Sequence, residues 1–522
     1  MLSFEGLEPP PQLLQAIHQH CVGGVTISRH RNVDNPAQVQ ALNQAIQQAA
    51  QAAGLPPLLI AADQEGGQLL AIGQGVALFP GNLAVGATRS AELAHQAGLA
   101  MGRELAAMGI NVNYAPACDV NSNPQNPVIG TRSFGEESAL VAQLAVAMLT
   151  GLQAAGVAAT AKHFPGHGDT ATDSHHGTPV VGHGLERLRQ VEWPPFVAAI
   201  NAGVRLMMTG HVALPALHGD DPTLPATLSP RLLVSILREE LGFSGPIISD
   251  ALDMGAIGQG LDLIVDTIAA SVAGVDLLLL ISDWPTQNNV YAGLRQAARR
   301  GLITKTSLMT SVERILGLKQ WLAQMQPPSL EVVGCAEHRQ LANQIAARSI
   351  TLVRDEANLL PLRLKPEARV AVILPQPVDL TPADISSQVK CTLAEAVRRR
   401  HANVTEFITA HHPTPAEIAA LREQGSTYDL IIISTINAYA QSEQPALVNA
   451  LLASGVPLIA VALRMPYDLQ AYPTVPTYLC SYSILEPSME ALAQVLWAET
   501  AAVGTLPVSI PGMYPCGHRL KL

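Results

Sequence analysis

An α/β chain is predicted by three observations. Short aliphatic runs recur along the sequence, stretches of helical periodicity separate them, and polar residues collect where the runs end. That alternation marks a parallel α/β barrel or a doubly wound sheet, folds that place their chemistry at the carboxyl ends of the strands. Around Gln324–Glu331 (QMQPPSLE) the pattern breaks into a proline-rich stretch, and a second α/β unit follows.

In chain order, Gly23–Ser28 (GGVTIS) reads as a buried strand. Asn35-Pro36 then offers an N-cap and a first-turn proline to a helix carrying Val39, Leu42 and Ile46 on one side. Leu58–Ala62 is the next strand and ends in Asp63-Gln64-Glu65-Gly66-Gly67. Helix is expected from about Ala91 to Met108. Ile110–Val120 alternates like a strand ending near Asp119, and a helix spans about Glu137 to Ala155 with Leu140, Leu144 and Met148 in register. Val157–Ala161, Arg205–Thr209, Pro246–Ser249 and Val275–Ile281 are further short strands, which makes about seven, one short of a closed barrel of eight. In the second unit Arg369–Leu374, Asp429–Ser434 and Pro457–Ala462 read as buried strands with no titratable cluster at their ends.

The chain has 522 residues, is only 14% charged and carries a net charge of −11, so a large core is available and polyanion binding is disfavoured. Its six cysteines lie far apart without a Cys-x-x-Cys pair, the pattern of free thiols. The start, MLSFEGLEPPPQ, lacks the basic and apolar regions of a signal peptide, and no apolar run approaches the ~20 residues of a membrane span. A cytoplasmic location without a membrane partner is the expectation.

Chemistry concentrates in Lys162–Pro179, KHFPGHGDTATDSHHGTP, read as a loop leaving the strand before it. Asp173 and His175, two residues apart on an extended loop, can hydrogen-bond, the carboxylate orienting an imidazole suited to proton transfer. The competing reading is a polar loop whose aspartate caps a turn. Asp250, ending the run IISD, is either a helix N-cap or a nucleophile. Asp63 is a turn residue or a ligand for substrate hydroxyls. Arg132 could pair with Glu136 or Glu137, or reach a ligand. The histidines His163, His167, His175 and His176 invite a metal reading, but their spacing matches no ligand motif, so neither metal nor cofactor is expected. A serine elbow and a dinucleotide loop are both absent.

Taken together, DQEGG at 63–67, NVNYAPACDV at 111–120, IGTRSFG at 129–135, KHFPGHGDTATDSH at 162–175, MTGHV at 208–212 and SDALDMGAI at 249–257 resemble glycoside hydrolase family 3, in its β-N-acetylglucosaminidase branch. The resemblance implies a TIM-type (β/α)8 barrel over 1–325, a linker over 326–340 and an α/β sandwich over 341–522. It implies a retaining exo-enzyme that removes terminal β-linked N-acetylglucosamine, from peptidoglycan-derived fragments, without a cofactor. Asp250 would be the nucleophile, and His175 the general acid/base, paired with Asp173 on a mobile loop. Asp63, Arg132, Lys162 and His163 would hold the sugar hydroxyls. The chain departs from the family's single-domain members at Gln68 and Ala71, where arginines are usual. The alternatives are a β-glucosidase or a phosphorylase with the same apparatus, or an inactive sugar-binding sensor.

Overall fold

Seven parallel strands form the first sheet: β1 (Gly24–Ile27), β2 (Leu59–Ala62), β5 (Val112–Asn113), β6 (Ala158–Phe164), β7 (Leu206–Thr209), β8 (Ile247–Ala251) and β9 (Leu277–Leu279), paired in that order. A two-stranded ribbon, β3 (Gln64–Gly66) with β4 (Leu69–Leu70), follows β2. The computed structural model describes every residue except His176, Asp220, Ser282 and Leu522. The eighth stave is the start of the chain. Leu2 bridges Val25 on one side and Leu280 on the other, both in parallel, and Met1 and Leu2 exchange backbone bonds of 3.1 Å with Leu280 and Gly24. The sheet thereby curls into a (β/α)8 barrel.

Alternation within the strands separates inside from outside. Leu59 and Ala61 of β2, Val112 of β5, Ala158 of β6, Leu206 and Met208 of β7 and Ile248 of β8 share one cluster that fills the barrel. Their neighbours Ile60 and Ala62 face the other way and pack with Val39, Leu42 and Ile46 of the helix Pro36–Ala52. That helix begins as its sequence suggests, with the Asn35 side chain accepting from Gln38 N.

Several boundaries differ from the sequence reading. The strand expected over 110–120 pairs regularly only at Val112–Asn113, because the chain then turns through Ala115-Pro116, where proline has no N–H to donate. By contrast β6 runs on to Phe164, which pairs with Thr209 of β7, so Lys162 and His163 lie on a strand and not in the loop. Asp250 likewise lies within β8.

The second sheet has six strands: β10 (Thr351–Asp355), β11 (Val370–Pro375), β12 (Val404–Thr409), β13 (Leu430–Thr435), β14 (Leu458–Ala462) and β15 (Thr477–Cys480). Their order is β10-β15-β14-β13-β11-β12, with β10 antiparallel to β15 and the rest parallel. Val370, Val372, Leu430 and Ile432 join one core, while Ala371, Ile373, Ile431 and Ile433 join another. Apolar layers cover both faces, which is why these strands read as unbroken aliphatic runs. β10, β12 and β15 escaped the sequence reading. β12 is an edge strand whose mixed composition (VTEFIT) gives no buried run.

The two units are bolted together. Glu104, in the helix Ala91–Ala107, accepts from Gly334 N (3.0 Å) and meets His338 Nδ1 at 2.8 Å in a buried position. The Ser509 hydroxyl and amide donate to Glu136, and Asn121 Nδ2 donates to Tyr467 Oη at 3.2 Å. Among the described residues no helix is long and apolar enough to cross a membrane.

Candidate active site

The inward parity of the barrel strands predicts the site directly. Continuing Leu59–Ala61 by one inward step gives Asp63. The same step from Ala158 through Thr160 gives Lys162, and from Ile248 it gives Asp250. These three charged residues top a mainly apolar interior, at the carboxyl ends of the strands.

A chain of charges links the strand ends. Lys162 Nζ lies 2.7 Å from both Asp63 Oδ1 and Glu65 Oε1. Glu65 in turn accepts from Arg132 Nη2 (2.8 Å) and Nε (3.0 Å), a two-pronged pair. Arg132 Nη2 reaches His163 Nε2 at 3.3 Å, and His163 Nδ1 lies 2.7 Å from Asp119 Oδ2. Burial alone would raise the carboxyl of Glu65, but the charges of Arg132 and Lys162 reverse this and hold it down to about 2. Burial works the same way on Asp119, and His163 and His167 outweigh it, so this carboxyl too lies below its ordinary value. Of this chain, Asp63 is the exposed member, with 38% of its side chain open to the cleft. Arg132 therefore pairs with Glu65 and not with Glu136 or Glu137, and the triad Asp63, Arg132, Lys162 with His163 forms one connected wall.

The loop after β6 is held from beneath. His167 N donates to Asp119 Oδ1 (2.7 Å), while the His167 ring engages Thr170 Oγ1 (2.8 Å) and Ser174 Oγ (3.1 Å) through its two nitrogens. Burial, then the proximity of His163, hold its imidazole down to about 4, so it stays neutral near pH 7. Asn126 Nδ2 donates to His167 O (2.8 Å). Gly168 passes so close to Val120 O that a Cβ would sit 1.8 Å from it, which requires glycine there. Asp169 is taken by His183 and Arg187. Neither His167 nor Asp169 is thus a free proton donor.

Beyond this anchor the loop presents Asp173 and His175. Asp173 Oδ1 accepts from His175 N (2.9 Å) and lies 2.6 Å from His175 Nδ1, which leaves Nε2 as the outward nitrogen. The loop is seated on the segment after β8, with Ala256 N donating to Ser174 O (3.1 Å) and Gly255 N to His175 O (3.3 Å). This ties the loop to the segment that follows Asp250, a residue 75 positions after His175 in the sequence. His176, singled out with the other histidines in the sequence, lies outside the described residues.

Asp250 is partly open to the cleft and accepts from Ala251 N at 2.8 Å. Burial pushes its carboxyl up. His163, His211, the Ala251 amide and Lys162 together more than reverse that, so it stays ionised below the usual carboxylate range. His211, wholly buried, bridges Thr227 Oγ1 (2.8 Å) and Ala251 O (2.9 Å) and so braces the strand end carrying Asp250. Burial holds its own pKa below the ordinary histidine value.

Glu65, Asp119 and His211 were not assigned roles from the sequence. Each sat in plain view, in DQEGG, at the end of ACD and in TGH, but a charged residue's partner is visible only once the strands are neighbours. Among the described residues no cluster of three or more His, Cys, Asp or Glu side chains is placed to hold a metal ion.

Residues 7–318 match the family profile described as "Glycosyl hydrolase family 3 N terminal domain". A beta-hexosaminidase A of Pseudoalteromonas piscicida is 34% identical, over 96% of this chain and 91% of that protein. A beta-N-acetylglucosaminidase/beta-glucosidase of Cellulomonas fimi is 30% identical over 93% and 88%. The solved structure of a glycoside hydrolase family 3 beta-N-acetylglucosaminidase from Paenibacillus sp. str. FPU-7 superposes with a TM-score of 0.92 at 39% identity, covering 98% of this chain and 97% of that one.

Proposed function

The chain belongs to glycosyl hydrolase family 3, and we propose that it is a retaining exo-β-N-acetylglucosaminidase, with cell-wall saccharides among its candidate substrates. The observation that carries the reading is the juxtaposition of an ionised strand-end carboxylate, Asp250, with a loop-borne Asp173–His175 pair seated beside it. The names of the similar proteins, hexosaminidases and N-acetylglucosaminidases, support the choice of sugar.

In this mechanism Asp250 attacks the anomeric carbon and displaces the aglycone, forming a covalent glycosyl-enzyme. His175 Nε2 gives its proton to the departing oxygen, and Asp173 stabilises the charged ring and fixes its orientation through Nδ1. In the second step water loses a proton to the same nitrogen and attacks the anomeric carbon, releasing Asp250. Asp63, with its exposed oxygens, accepts from sugar hydroxyls, while Lys162, Arg132 and His163 shape and charge the wall behind it. A histidine in place of the second carboxylate leaves one negative charge fewer beside Asp250.

The test is hydrolysis of an aryl β-N-acetylglucosaminide in phosphate-free buffer, with the product anomer followed by NMR. Initial appearance of the β-anomer is expected. An α-anomer first would overturn double displacement, and a requirement for added phosphate would overturn hydrolysis.

A further inference from the structure

A cavity of about 500 Å³ opens at the end of the barrel opposite the charged wall. Gly23, Pro56 and Asp276 in its lining precede β1, β2 and β9, so it lies beneath the amino ends of those strands. Three helices complete it. Ala16 comes from Pro11–His20, Trp284, Tyr291 and Leu294 from Trp284–Arg299, and Ile315 from Lys305–Leu322. The last of these helices reaches the barrel interior through Leu318, which shares a cluster with Leu277 and Leu279. Helical spacing then sets Lys319 one turn beyond Ile315 on the same face, and both line the cavity. The cavity is of a size with small-molecule sites, which run to roughly 300–1,000 Å³.

The polar groups of this lining are unevenly served. Among the described residues that line it, the charged side chains are Asp276 and Lys319. Asp276 is saturated. Its Oδ2 accepts from Arg238 Nη2 (2.6 Å) and Ile247 N (2.8 Å), and its Oδ1 from Ser311 Oγ (2.6 Å) and Arg314 Nη1 (3.2 Å). Tyr291 Oη donates to His20 O (2.7 Å), and the Met1 nitrogen donates to Leu278 O (2.8 Å). Lys319 has nothing comparable. Only 8% of the residue is exposed, yet its ammonium makes no hydrogen bond or ion pair among the described residues. Unlike His20 Nδ1, which is sealed from solvent, its nitrogen stays reachable. Burial without a counter-charge draws its pKa down to about 8, so near pH 7 it is still charged in most molecules.

We propose that this cavity is a binding site for an apolar monocarboxylate of the alkanoate type, its carboxylate paired with Lys319 and its chain lying against the three helices. A buried ammonium is stable only when something answers its charge, and the protein leaves that place open. One carboxylate brings one negative charge and two acceptors. A neutral apolar molecule would leave the ammonium unmet. A dianion would bring a second charge that no free cation meets, because Arg238 and Arg314 are already committed to Asp276. The aliphatic and aromatic walls match a hydrocarbon body. The site is separate from the catalytic cleft, which lies at the other end of the strands.

The experiment is calorimetric titration of the intact protein at pH 7 with octanoate, decanoate and decanol, repeated on Lys319→Met and Lys319→Arg. Decanoate should bind once per chain and roughly tenfold tighter than octanoate, because two more methylenes are buried. Decanol, which lacks the charge, should bind roughly tenfold more weakly than decanoate. Lys319→Met should lose roughly tenfold for decanoate and nothing for decanol. Lys319→Arg keeps the charge and should keep most of the decanoate affinity. Acetic anhydride labelling of the parent, read by mass spectrometry, needs no variant and so does not depend on how the variants fold. It should mark Lys319, and decanoate but not decanol should protect it. Equal binding of decanoate and decanol overturns the proposal, since the ammonium would then be idle. Unchanged decanoate affinity in Lys319→Met, or labelling of Lys319 that decanoate does not reduce, overturns it by placing the ligand elsewhere. Absence of binding, a Lys319 that is never labelled, or several weak equivalents per chain also overturn it.

Discussion

Asp250 of the barrel and Asp468 of the second unit are both held near strand ends in low-dielectric surroundings, yet their carboxyl groups are driven in opposite directions. Asp468, fully buried, accepts from Thr435 Oγ1 (2.6 Å) and Tyr439 N (3.2 Å), all neutral groups, and burial pushes it up to about 7. Asp250 meets the same burial penalty, but His163, His211 and Lys162 stand nearby and its pKa falls below the ordinary value. Desolvation favours the neutral acid, and nearby positive charge or hydrogen bonds to the ionised form oppose it. The barrel's strand ends supply the Lys162 ammonium, two imidazoles and the Ala251 amide, whereas those of the second sheet supply hydroxyls and amides alone. One sheet therefore keeps the carboxylate proposed as nucleophile ionised, and the other holds a buried acid whose pKa is raised.

Removing the proposed nucleophile should break this contrast most severely. Asp250→Ala is expected to lower kcat by on the order of 10⁴–10⁶-fold, as loss of a covalent nucleophile does elsewhere. Its melting temperature should stay close to that of the parent, and azide should restore turnover with formation of an α-glycosyl azide. Substantial unaided activity would take Asp250 out of its role.

Next in size is the proposed proton donor, His175. His175→Ala should cost ~10²–10⁴-fold on sugar leaving groups and far less on a dinitrophenyl glycoside, which departs unassisted. Asp173→Ala should follow the same trend more weakly. A leaving-group series on both variants decides the matter, since equal losses across it would mean that the histidine shapes the loop and does not protonate.

The charge chain itself can be cut with Lys162→Met. Two carboxylates, Asp63 and Glu65, lose their shared cation, and breaking a buried pair this way typically costs ~3–5 kcal/mol. Denaturant unfolding should report a loss on that scale, together with a fall in kcat/KM. A neutral result would show that the ammonium is dispensable to both fold and pocket.

The smallest effect is one of sign. Glu65 has its folded pKa lowered from 4.5 to about 2, so its contribution is complete above 4.5 and is lost as pH falls toward 2. Asp468 has its folded pKa raised from 3.8 to about 7, so the penalty of ionising it grows as pH rises through that window. Melting curves from pH 3 to 8 should therefore show Glu65→Gln destabilising most near neutrality. Asp468→Asn should gain on the parent as pH rises, by no more than ~4 kcal/mol. Parallel pH profiles for the two variants would erase the contrast between the sheets.

Much of this was legible in the sequence because it is local. The apolar runs of both sheets are stretches of a few consecutive residues, and Asn35-Pro36 announces a helix start without outside help. The pairing of Asp173 with His175 is also local, two residues on an extended loop. Tertiary structure decided the rest. That Met1–Ser3 is a barrel stave depended on β1 and β9 coming near enough to need a strand between them. Lys162 and His163 were drawn out of the loop by pairing of β6 with β7. Arg132 chose Glu65, 67 residues away, over its near neighbours Glu136 and Glu137, and Gln68 found Ala383, 315 residues away. Side-chain period and capping are properties of a few consecutive residues, so they are written in the chain. The partner of a buried charge is set by which strand ends become adjacent when the sheet closes, and no short stretch of sequence contains that.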